Sequence, residues 1–217
     1  MEIISQIIDF FLHLDKHLFY IINEYGTLTY LILFLIVFTE TGLVFMPLLP
    51  GDSLLFAAGA LAASTGALNV WIIIPLLIIA ALLGDNVNYF VGKYLGMKIK
   101  EREQILFLKK EYLERTEDFY EKHGGKTVIM ARFIPIIRTV APFVAGAGSM
   151  KYPKYILFCI VGALLWVPTL TLAGYFLGNI PFVKNNFEIV IFGVIGVSVL
   201  PIIWGYIKSK FLTPRTV

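Results

Sequence analysis

Histidine and cysteine are nearly absent from this chain, and charge is sparse. Only His13, His17, His123 and the single Cys159 occur among 217 residues. One cysteine excludes an internal disulfide, and because Cys159 lies in an apolar run it reads as a packing residue. The histidines are remote from the charged apolar segments described below. A histidine-nucleophile phosphatase or a histidine-rich metal site therefore has nothing to be built from. No cofactor and no metal are expected, and the chain is not expected to be an enzyme. A carboxylate-only intramembrane hydrolase stays formally open, although Glu40 and Asp52 match no motif for one.

Charged residues make up 15% of the chain, where an ordinary soluble domain carries about 25%. Hydrophobic residues reach 58% and the mean hydropathy is +0.80. These values predict an integral membrane protein, all-α, forming a single membrane domain over 1–217 with about four full spans of about 20 residues. The net charge of +3 gives no reason to expect nucleic acid as a partner. Met1 to Gln6 has no basic region and no small-residue cleavage site follows, so the N-terminal segment is expected to be retained. Within Glu2 to Glu24, Gln6, Asp9, His13, Lys16, His17 and Tyr20 recur at helical spacing. That pattern predicts an interfacial amphipathic helix, with a fifth span as the alternative.

What charge there is falls in unexpected places. The apolar stretch Phe38 to Ala60 carries Glu40 and Asp52, and the stretch Ala131 to Gly148 carries Arg132 and Arg138. An ionisable residue at the centre of a spanning helix costs roughly 2.5 to 3.5 kcal/mol even on a lenient scale, so each marks a candidate functional position. Both stretches are broken, the first by Pro47, Pro50 and Gly51, the second by Pro135 and Pro142. Asp52 could alternatively cap a helix over Ser53 to Leu61. Asp85, beside Gly84 and Asn86, is a secondary candidate, with Asn88 and Tyr89 one turn on to satisfy it.

The chain also repeats itself. FMPLL (Phe45 to Leu49) matches FIPII (Phe133 to Ile137), FAAG (Phe56 to Gly59) matches FVAG (Phe143 to Gly146), and GKYLG matches GYFLG. The spans expected are Thr27 to Phe45, Val70 to Leu95, Tyr155 to Leu177 and Phe187 to Ile207. Repeat 1 covers about 27–96, a connection about 97–126, repeat 2 about 127–178, and the final transmembrane helix about 187–207. The broken segments, about Met46 to Ala63 and Thr127 to Gly148, read as re-entrant hairpins, since irregular backbone at membrane depth needs protein or a watery cavity around it. One crossing separates them, so the hairpins open on opposite faces and form an inverted repeat. Lysine and arginine cluster in Met97 to Lys126 and in the C-terminal tail, which puts both on the cytoplasmic side. Within the connection, Ile105, Leu108, Tyr112, Thr116 and Phe119 predict an amphipathic surface helix that stops at His123-Gly124-Gly125.

A carboxylate withdrawn from water can exchange a proton near neutrality, as a proton-coupled carrier requires. Guanidinium offers a planar fork of donors that suits a phosphate. The arginines could instead pair with Glu40, Asp52 or backbone carbonyls as struts.

At ETGLVFMPLLPGDSLLFAAGALA, GDNVNYFVGKYLG and ARFIPIIRTVAPFVAGAG the sequence resembles the DedA family of the VTT-domain superfamily. IIDFFLHLDKHL and YEKHGGKT resemble the DedA subgroup in particular. The resemblance implies a bacterial cytoplasmic (inner) membrane protein with paired re-entrant hairpins, dependence on the proton motive force, and movement of lipid between leaflets. It implies that Glu40 and Asp52 are the proton-coupling pair and that Arg132 and Arg138 bind phosphate. The expected function is a flippase for undecaprenyl phosphate or another anionic phospholipid, with membrane lipids and protons as partners and self-association left open. The alternatives are a proton-coupled cation or drug antiporter and a non-transporting envelope-assembly scaffold.

Overall fold

The computed structural model describes residues 14–43, 51–102, 104–105, 108–109, 126–148 and 150–181, with isolated positions from 183 to 196. Helix α1 is Leu14–Tyr25, α2 Leu28–Gly42, α3 Gly51–Thr65, α4 Val70–Arg102, α5 Lys126–Ala131, α6 Pro135–Ala147 and α7 Tyr152–Leu177. Two strands of two residues each, β1 (Gln104–Ile105) and β2 (Leu108–Lys109), pair antiparallel after α4. Pairing of Ile105 with Leu108 overturns the surface helix expected through those two positions. The backbone reverses tightly between them, which helical spacing alone does not anticipate. Tyr112, Thr116 and Phe119 lie outside the described residues.

The stretch Val70–Lys98, 29 residues within α4, and α7, 26 residues, are long and apolar enough to cross a membrane. Their outer faces expose Trp71, Ile72, Ile79, Leu83, Leu157, Leu164, Leu165 and Phe176. Apolar exposure on this scale suits an apolar solvent and fits the integral membrane protein expected from composition. Asn69 caps α4 by accepting from the Trp71 N–H at 2.9 Å. At the end of α3, Gly66 takes a φ of +67°, the left-handed residue that closes many helices.

Helix α3 differs from the two long helices. Every residue from Gly51 to Ala62 is buried, so protein rather than lipid surrounds it. Its 15 residues rise roughly 22 Å, short of a hydrocarbon core of about 30 Å. Leu18 and Ile22 of α1 join Leu54, Leu55, Ala58 and Leu61 of α3 in the main apolar core. The second broken segment is also short and interrupted. α5 stops at Ala131, residues 132–134 turn, and α6 restarts with Pro135 in its first turn, where a missing N–H costs nothing.

Packing is reciprocal between the two halves. α3 lies against α7, and α6 lies against α4. A Cβ placed on Gly59 or Gly146 would overlap the backbone carbonyl of Thr171 or Tyr89, and one on Gly174 or Gly92 would overlap that of Phe56 or Phe143. Backbones this close exclude any side chain, which explains why both FAAG and FVAG end in glycine.

The expected spans Val70 to Leu95 and Tyr155 to Leu177 are observed as α4 and α7. Within the expected span Thr27 to Phe45 the described helix is α2, apolar but only 15 residues long, and residues 44 and 45 lie outside the described residues. Within Phe187 to Ile207, the described residues 189, 190, 193 and 196 are helical. Pro47, Pro50 and the first part of the N-terminal helix lie outside the described residues.

Candidate functional site

The ionisable residues of the two broken segments meet in the interior. Glu40 arrives on the last turn of α2, Asp52 on the first turn of α3, and Arg138 on the first turns of α6. Arg138 Nη2 donates to Glu40 Oε1 at 2.5 Å and its Nη1 to Asp52 Oδ1 at 2.6 Å. Exposure is 1% for Glu40, 7% for Asp52 and 4% for Arg138, so little water weakens these contacts. The Gly51 N–H also donates to Glu40 Oε1, at 3.3 Å. A Cβ on Gly51 would overlap that carboxylate, so a larger residue directly before Asp52 would require Glu40 to shift. Asp52 lies inside the helix rather than ahead of it, and its Oδ1 accepts from side chains of α6 and α7.

Arg132 takes a different partner. It sits in the turn between α5 and α6, where Nη1 donates to Asp85 Oδ2 at 2.7 Å and to the Cys159 carbonyl at 3.3 Å. Asp85 is 2% exposed. Asn88 and Tyr89 do not satisfy Asp85. Asn88 Nδ2 instead donates to the carbonyls of Thr41 at 3.2 Å and Thr139 at 2.7 Å, tying α2, α4 and α6 together. The Tyr89 hydroxyl donates to the Met150 carbonyl at 2.5 Å. The reason is geometric: Arg132, freed from helical direction by the 132–134 turn, reaches Asp85 across the interface first. Tyr155 completes this end by donating to the Asp85 carbonyl at 2.9 Å, and Cys159 is fully buried as expected of a packing residue.

The two ion-pair centres converge on Trp166, which sequence reasoning passes over. Its Nε1 donates to Asp52 Oδ1 at 2.8 Å, and its ring centroid lies 4.4 Å from Arg138 Cζ and 5.5 Å from Arg132 Cζ. One signal was available: a tryptophan inside a spanning helix needs an acceptor for its N–H. Close crossing of α2 and α4 beside the site depends on small residues, since the Cβ position of Gly42 is 3.3 Å from Gly84 Cα.

Among the described residues, Glu40 Oε2, Arg132 Nε and Nη2, and Arg138 Nε have no hydrogen-bond partner. Beside the two arginines is a cavity of about 10 Å³ lined by Asp85, Val128, Arg132, Arg138, Ala141 and Pro142. No group of three or more His, Cys, Asp or Glu side chains among the described residues is placed to hold a metal ion. The arrangement can bind and exchange charge: it has buried acids that can take protons and guanidinium N–H groups still open to an acceptor.

Residues 49–176, which contain Asp52, Asp85, both arginines and Trp166, match the VTT domain. Over 216 residues, 99% of each chain, the sequence is 52% identical to Protein DedA of Escherichia coli strain K12. It is 44% identical to the uncharacterized membrane protein ML0287 of Mycobacterium leprae over 83% of this chain and 82% of that one. Inner membrane protein YqjA of Escherichia coli strain K12 is 38% identical over 70% of this chain and 69% of its own. No solved structure matches. With the domain match covering every ionisable residue of the site except Glu40 and the identity to Protein DedA running end to end, the chain belongs to the DedA family of VTT-domain membrane proteins, in the DedA subgroup.

Proposed function

We propose that this protein is a proton-linked transporter of an anionic lipid phosphate, a polyprenyl phosphate such as undecaprenyl phosphate or a phospholipid, in the bacterial inner membrane. The observation that carries the reading is Arg138 held between Glu40 and Asp52 in a buried centre. Protonating either acid weakens its hold on the guanidinium and leaves Arg138 able to take a phosphate, so proton uptake and anion binding are linked. The direction of coupling follows: anion capture is favoured on the side where protons are abundant.

The reciprocal packing of α3 on α7 and α6 on α4 supports reading the two broken segments as opposed re-entrant hairpins of an inverted repeat. Such a pair can rock between outward-open and inward-open states around one fixed site. Lysine and arginine in Met97 to Lys126 and the tail support a cytoplasmic side for those segments and the C-terminus. The name of the relative YqjA supports an inner-membrane location. A groove lined by Phe38, Leu83, Val87, Phe90, Val91 and Tyr94 runs along α2 and α4. It suits a lipid chain that stays in the bilayer while the headgroup crosses.

In cells carrying Arg138→Ala or Glu40→Gln, undecaprenyl phosphate is expected to accumulate at the outer surface. Unchanged exposure together with unchanged growth would sink the assignment. The antiporter reading has one observation in its favour: Glu40, Asp52 and Asp85 outnumber Arg132 and Arg138 among the described buried residues, an excess that suits a cation. Sodium- or pH-driven flux in liposomes free of the candidate lipid would establish it instead.

A further inference from the structure

Trp166 links two ion-pair centres, Arg138 with Glu40 and Asp52, and Arg132 with Asp85. It is 1% exposed and lies midway along α7, a helix that contributes none of the five ionisable residues of the site. The Asp52 oxygen to which its Nε1 donates at 2.8 Å also accepts from Arg138 Nη1 at 2.6 Å. One side chain thus contacts an acid through its edge and two guanidiniums through its ring, at 4.4 Å and 5.5 Å. One turn earlier, Gly162 leaves room for the stem of Arg132, since a Cβ there would come within 3.2 Å of Arg132 Cδ.

Two like charges in a site shielded from water repel, and an aromatic face attracts both without supplying a competing charge. A ring face also holds a guanidinium without using its in-plane N–H donors. Those donors are what a phosphate requires, and Arg132 Nε, Arg132 Nη2 and Arg138 Nε are unpartnered among the described residues. The indole N–H can only donate. It therefore keeps hold of ionised Asp52 when Arg138 turns from that acid to an incoming anion.

We propose that Trp166 is a positioning residue for the headgroup site, presenting Arg132 and Arg138 as separate donors to one phosphate while anchoring Asp52. This inference rests on the phosphate reading of the two arginines. It goes further by assigning their spacing to an aromatic residue on α7, the long helix of the same repeat.

The test uses the full-length protein in detergent, with Trp71→Phe and Trp204→Phe leaving Trp166 as the sole indole. Farnesyl phosphate is the probe and farnesol the uncharged control. Trp166 emission is expected to change saturably with farnesyl phosphate and not with farnesol. With radiolabelled farnesyl phosphate, Trp166→Phe, which keeps a ring face, should bind about 2- to 5-fold more weakly, and Trp166→Leu about 10- to 30-fold. Binding of the radiolabel with no change in Trp166 emission would overturn the positioning role and leave the phosphate reading standing. No binding by the wild-type protein would overturn both. If Trp166→Leu does not fold, the emission titration and the Trp166→Phe affinity decide, and a Trp166→Phe protein that binds as wild type overturns the proposal.

Discussion

Removing Arg138 would strand two carboxylates at once, because Glu40 and Asp52 both accept from it in a site that water hardly reaches. Breaking a buried pair by deleting one partner costs about 3–5 kcal/mol, more than the intact pair contributes, since the remaining charge is left desolvated. Arg138→Ala should therefore be markedly less stable in detergent by thermal unfolding. Adding Glu40→Gln and Asp52→Asn should recover most of the loss, and failure to recover would mean that charge pairing is not what Arg138 supplies. Glu40, Asp52, Arg132 and Arg138 were legible in the sequence because a charge in an apolar run stands out. Trp166 was not, since a tryptophan among leucines looks the same whether it packs or bonds. Nor was the choice of Asp85 by Arg132, which depends on where a three-residue turn points.

Helix contacts follow from glycines whose need is visible only in pairs. Gly59 meets the Thr171 carbonyl and Gly146 meets that of Tyr89, each with the backbone itself as the obstacle. Overpacking a core costs about 1–3 kcal/mol, and a backbone obstacle cannot move aside as a side chain does. Gly59→Val and Gly146→Val should each abolish recovery of monodisperse protein. Gly193→Ala, with nothing within 4 Å among the described residues, should not. A large difference between the Gly59 and Gly146 variants would argue against equivalent packing of the two halves. The repeat motifs pointed to these glycines, and the long apolar helices α4 and α7 were readable from hydropathy alone. Ile105 and Leu108 misled, because apolar residues three apart fit a helix and a tight antiparallel turn equally well.

For the whole molecule, transport requires the buried layer around the ion pairs to open, and Cys159 is a native reporter of that opening. It is the single cysteine, fully buried, with its carbonyl accepting from Arg132. Labelling of Cys159 by a membrane-permeant maleimide should be slow at rest and should accelerate in proteoliposomes given a proton gradient and the lipid substrate. Equal rates under both conditions would mean that α7 does not separate from the site during turnover.

Amino-acid order alone determined that this chain enters a membrane, where its charged residues fall, and which segments cannot be continuous helices. Those properties are local: apolar area, charge and backbone breakers act wherever they lie in the chain. Tertiary structure decided which acid faces which arginine, that Trp166 joins the two ion-pair centres, and that each short helix packs on the long helix of the other half. Such choices depend on distances between residues far apart in sequence. An ion pair, a ring face and a glycine contact have energetic meaning only once the backbone has brought both partners within a few ångströms.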